Sequence, residues 1–180
     1  MSKFSSNRRP RDQSTALTRA AYAFLAGLLG ITVNTAMLKL APLIHIDPGS
    51  GGLLKLLLRY ATRWAPWSLA ALHRVGVEKP PTLFAFLWFH YLTGMFMILF
   101  YFYVVSRYLP GPWWRKATIS AVLLWIVNAA FVLPQLGQGF AGIHKIPASG
   151  ILYFFAANWL LFVVSALAFD HWFPSEDSAI

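Results

Sequence analysis

The stretch LFAFLWFHYLTGMFMILFYFYVV, residues 83–105, contains no Asp, Glu, Lys or Arg and carries one imidazole, His90. A helix rising ~1.5 Å per residue needs ~20 apolar residues to cross a ~30 Å hydrocarbon layer, and this run reaches that length. Its aromatic side chains point all round a helix, so part of that surface must face lipid or another subunit. Continued to residue 109, it is one of four comparable stretches, the others covering roughly residues 18–44, 113–135 and 148–172. Composition agrees: at 58% hydrophobic and 12% charged, the chain lacks the charged surface that a soluble domain of 180 residues needs. The prediction is an all-α fold, a four-transmembrane-helix bundle. Residues 1–15 read as a disordered basic tail, 16–173 as a single bundle and 174–180 as a C-terminal tail. The run from Ala16 to Ile44 is too long for the ~7–15-residue core of a signal peptide, so it is expected to stay as a membrane anchor.

Between the first two spans, Pro48, Gly49, Ser50, Gly51 and Gly52 break the chain, and Leu53 to Trp64 then reads as a helix. Lys55, Arg59 and Arg63 recur every four residues as one basic stripe, while Leu53, Leu54, Leu57, Leu58 and Trp64 cover much of the rest. Three cations in so short a run argue against a fifth crossing. The pattern predicts an interfacial amphipathic helix, with Lys55, Arg59 and Arg63 meeting the headgroups of anionic lipids. The remaining charge orients the bundle. Arg8, Arg9, Arg11 and Arg19 lie around the start of the first span, and Arg107, Arg115 and Lys116 lie between the second and third. That asymmetry favours cytoplasmic N- and C-termini. Because the net charge of +9 sits beside the spans, it is assigned to the membrane surface and not to nucleic acid.

Each span carries one strongly polar residue at a similar depth: Asn34, His90, Asn128 and Asn158, with Thr93 one turn from His90. Counted at ~1.5 Å per residue, all lie ~10–15 Å below the outer surface. Two readings fit such a layer. Polar side chains bond between membrane helices simply to hold a bundle together, assisted here by small residues such as Ala23, Gly27, Gly30 and Ser165. Alternatively, an intramembrane histidine marks a ligand or ion site facing the bundle interior. Lys39, the one cation inside a span, is near enough to its end for its stem to reach the headgroups.

Metal and cofactor chemistry has little to rest on. The chain has no cysteine, and no His-x-His or His-x3-His spacing places two imidazoles on one helical face. His45 with His90 is the one candidate pair for haem, copper or zinc, and the expectation is that no cofactor is bound. Phosphate-loop, nucleophile-elbow and His-Glu-x-x-His signatures are missing, and none of the six acids lies in the core of a span. The sequence therefore favours a non-catalytic accessory or assembly partner of a larger membrane complex, with another membrane protein or a homo-oligomer as partner. The alternatives are a small-molecule, haem or metal-binding bundle centred on His90, and a lipid-handling membrane protein.

Two segments carry a family likeness. Trp88 to Gly94 reads WFHYLTG, and Trp125 to Gly137 reads W-x8-P-x2-G, continued by Gln138, Gly139 and Phe140. With the four-span layout, residues 84–170 resemble the small YagU-like inner-membrane proteins of bacteria. The resemblance implies the bacterial plasma membrane and no particular reaction. Where that kind of protein tends to have a histidine in its third span, this chain has Asn128 or Phe131.

Overall fold

The computed structural model describes residues 10–49, 52–64, 67, 74 and 82–173, with side chains from residue 16 onward. Five helices build it: α1 (Pro10–Leu40), α2 (Gly52–Trp64), α3 (Leu83–Tyr108), α4 (Trp113–Gln135) and α5 (Ala148–Trp172). There is no strand among the described residues. Four segments are long and apolar enough to cross a membrane: Ala16–Ile44, Leu83–Tyr108, Trp113–Gln135 and Ala148–Trp172. The all-α four-span prediction is therefore met, with α2 as the short helix between the first and second spans. Helix α1 begins at Pro10, ahead of the residue 16 at which the bundle was expected to start. Proline suits a first helical position, where its missing N–H leaves nothing unpaired. The rest of the expected N-terminal tail and residues 174–180 lie outside the described residues, as do the basic residues Arg8 and Arg9.

Local sequence sets the helix ends. Pro42 cannot donate a backbone hydrogen bond, and α1 tightens into a 3-10 turn over Ala41–Ile44 before His45 closes it in a left-handed conformation (φ 58°, ψ 30°). Thr82 caps α3, its side-chain oxygen accepting the Ala85 N–H at 3.1 Å. Extended Pro112 and Pro147 precede α4 and α5. Both α3 and α4 also contain a wide π-type turn, at Tyr101–Val105 and Asn128–Val132. In α4 the Leu133 N–H bonds back to the Asn128 carbonyl, just before Pro134, whose ring would press on a regular helical carbonyl. In α3 the wide turn lets the neighbours Tyr101 and Phe102 both turn inward. Their rings meet Phe162 and Phe169 with centroids 5.6 Å and 4.6 Å away.

Helix α5 is the hub, packed along α1 on one side and α4 on the other, and α1 also packs on α3. Small residues allow these approaches. A Cβ at Gly30 would collide with Ser165 Oγ and the Leu161 carbonyl on α5, and one at Gly94 would collide with Ile31 on α1. Ala23, Ala26, Ala117, Ala121, Ala157 and Ser165 are buried along the same seams. Without a hydrophobic driving force between helices in lipid, such close packing is a main source of association. Three polar bridges join spans as well: Tyr153 OH donates to the Met37 carbonyl at 2.6 Å, Trp159 Nε1 donates to Thr118 Oγ1 at 3.1 Å, and Thr32 Oγ1 lies 3.2 Å from Tyr91 OH. By contrast, α3 and α4 are not a closely packed pair. The space between their outer halves is where the site lies.

Candidate functional site

Helix α2 spans that gap. Leu54, Leu58 and Ala61, spaced four and three apart, form its buried face, and Leu54 and Leu58 pack with Ala85, Phe86 and Phe89 of α3. On its other flank the Gly52 backbone approaches Val132, Leu133 and Leu136. Two side chains tie it to the end of α4: Arg59 Nη1 donates to the Gln135 carbonyl, and Tyr60 OH donates to Gln135 Oε1 at 3.1 Å. Lys55, Arg59 and Arg63 are all on its exposed side, as the stripe requires. Arg63 also lies over the Trp64 ring, 5.4 Å from the centroid. The helix thus has a second role that the stripe does not reveal, since its apolar face rests on protein and roofs a cavity.

That cavity, of about 100 Å³, is lined from every helix. Asn34 comes from α1, His90 and Thr93 from α3, Asn128 from α4 and Asn158 from α5, so the structure brings all five residues of the polar layer around one space. Apolar side chains complete the wall, among them Leu53 and Leu54 of α2, Phe86 and Phe89 of α3 and Phe154 of α5. No Lys, Arg, Asp or Glu lines it.

The hydrogen bonding separates the two readings of the layer. Asn128 Nδ2 donates to the Leu124 carbonyl at 3.2 Å and Asn158 Nδ2 to the Phe154 carbonyl at 2.8 Å, each within its own helix. Thr93 Oγ1 likewise turns back, to the Phe89 carbonyl at 2.8 Å. Asn34 Nδ2 and His90 Nε2 are buried with no partner at all. Asn34 is only 1% exposed. None of the five joins one span to another; the interhelical bridges are the Tyr153, Trp159 and Tyr91 bonds, none of which belongs to the layer. A buried amide or imidazole nitrogen without a partner costs ~1–3 kcal/mol, so its natural complement is a polar group inside the cavity. The back-bonded amides of Asn128 and Asn158 have their donors in use and offer carbonyl oxygens as acceptors.

His90 is held by its neighbours. Its ring stacks on Phe86 with centroids 6.1 Å apart and planes 7° from parallel, and meets the edge of Tyr91 at 6.3 Å. Exposed Lys39 places its ammonium 6.0 Å from the centroid of the same Phe86 ring, which agrees with a stem reaching toward the surface. His45 is exposed in the turn after α1 and does not line the cavity, so the His45 and His90 pair does not form one site. Among the described residues no three His, Asp or Glu side chains gather to hold a metal ion. Asp47, the acid nearest His45 in sequence, accepts the Gly49 N–H at 2.9 Å.

The chain matches no family model, no curated protein and no solved structure. The fold itself defines the class: a multi-pass integral membrane protein with four spanning helices.

Proposed function

We propose that this membrane protein binds a small uncharged hydrogen-bonding group in the cavity between its four spans. The observation that carries the reading is the pair of buried, partnerless nitrogens, Asn34 Nδ2 and His90 Nε2, both on residues that line one space. Neutral lining suits a neutral guest, because an ion taken from water into such surroundings needs an opposite charge to compensate it. The accessory role expected from the sequence has no feature of its own in the fold, and the cavity supports the small-molecule alternative. A bacterial plasma-membrane setting with both termini cytoplasmic belongs to the same proposal, supported by the basic residues Arg107, Arg115 and Lys116 at the turn between α3 and α4.

The test uses protein labelled with ¹⁵N-histidine in lipid nanodiscs, titrated with glycerol, acetamide and p-benzoquinone. The His90 imidazole resonances are expected to move saturably with at least one probe, and Asn34→Leu is expected to weaken that response. Resonances unmoved by every probe, with the protein folded, would refute the reading. An absorbance spectrum and metal analysis of the same preparation test the haem or metal version, which a Soret band or stoichiometric copper would favour.

A further inference from the structure

The cavity is polar at one level only. Around Asn34, His90, Thr93, Asn128 and Asn158 the wall offers hydrogen-bonding groups, whereas Leu53, Leu54, Phe86, Phe89, Val132 and Leu133 make the rest apolar. A wholly polar guest would leave its far side against hydrocarbon. The volume, about 100 Å³, is less than the ~150 Å³ known to admit a benzene ring, so it houses a headgroup and little more. Between α3 and α4 the bundle is also not closed by helix packing, in contrast to the α1–α5, α5–α4 and α1–α3 seams. On the flank of that gap α3 and α4 present exposed apolar side chains, including Phe96 and Phe100 on α3 and Val127 and Phe131 on α4. Such surfaces accept an acyl or prenyl chain as readily as bulk lipid does.

Resting on the cavity reading above, we infer that the guest is an amphiphile with an uncharged oxygen headgroup, entering sideways from the membrane between α3 and α4 beneath α2. Its hydroxyl or carbonyl oxygen accepts from Asn34 Nδ2 and His90 Nε2. A hydroxyl proton, where present, goes to the Asn128 or Asn158 oxygen. Its tail leaves through the α3–α4 gap into the bilayer. Charged phospholipids are excluded from the cavity because nothing in its lining neutralises a phosphate. They are directed instead to Lys55, Arg59 and Arg63 on the exposed side of α2.

Native mass spectrometry of the detergent-purified chain tests this with dioleoylglycerol as the hydroxyl probe, decyl-benzoquinone as the carbonyl probe and dioleoyl phosphatidylglycerol as the charged control. One or both neutral amphiphiles should be retained one to one, and the retained headgroup identifies the chemistry. Asn34→Leu and Asn158→Leu, each shown folded by thermal unfolding, should weaken that retention by about tenfold, the scale of a lost hydrogen bond, while leaving phosphatidylglycerol adducts unchanged. Retention of neither neutral probe overturns the inference, as does equal retention by both variants or displacement of the neutral probe by phosphatidylglycerol. If glycerol or p-benzoquinone moves the His90 resonances but no tailed probe is retained, the cavity reading stands and the amphiphile inference falls alone.

Discussion

Replacing Asn34 by leucine should stabilise the bundle or leave it unchanged, although it removes a polar residue from the middle of a membrane protein. Asn34 is 1% exposed and its Nδ2 has no partner, so the native fold bears the cost of an unpaired buried donor, ~1–3 kcal/mol. Leucine has no such group, and the adjoining cavity of about 100 Å³ takes up its extra volume. The expected change is a gain of about 1 kcal/mol, measured on guest-free protein by SDS titration in mixed micelles with tryptophan fluorescence as readout. Had Asn34 been an interhelical fastener, its loss would instead cost ~0.6–2 kcal/mol. A decrease of about 1 kcal/mol or more would refute the assignment of Asn34 to a guest and return it to packing.

Further outcomes follow from other contacts. Gly30→Val pushes atoms into Ser165 and the Leu161 carbonyl and should destabilise the α1–α5 seam by about 2 kcal/mol in the same titration, with partial recovery on adding Ser165→Gly. Tyr153→Phe removes the 2.6 Å bond to the Met37 carbonyl and should cost ~1 kcal/mol without changing the response of His90 to probes. A reporter active only in the cytoplasm should work when fused after Ile180 and stay silent when inserted at Gly142; the reverse pattern would overturn the orientation. Spin labels along α2 should show lipid or water contact at positions 55, 59 and 63 and protection at 54, 58 and 61, and uniform exposure would show that α2 does not roof the cavity.

The spans were legible because bilayer thickness dictates their length, and the breakers are plain in the chain. Pro110, Gly111 and Pro112 separate α3 from α4, and Pro147 precedes α5. Depth was legible too, since counting residues places Asn34, His90, Asn128 and Asn158 at one level. Rotation about each helix axis is not contained in that count, and neither is the choice an asparagine makes between a neighbouring helix and its own backbone. Asn128 and Asn158 both took their own carbonyls. The interhelical bonds of Tyr153 and Trp159 were missed because aromatic residues near span ends read equally well as interface anchors. For α2, the spacing of its cations showed which side is polar but not that its leucines rest on Ala85, Phe86 and Phe89.

The wide turn at Asn128–Val132 also says something about descent. It spends one residue more than a regular helix would over the same path, so it behaves as an inherited insertion inside a span. Deleting Ala130 would let the turn close regularly and swing everything after it by ~100° about the axis. Gln135 would then leave Arg59 and Tyr60, and α2 would lose its tie to α4. Among sequences of common ancestry, a one-residue gap in the third span should therefore travel with the loss of the Arg59, Tyr60 and Gln135 set, so that the length of one helix and the side chains of another change hands together.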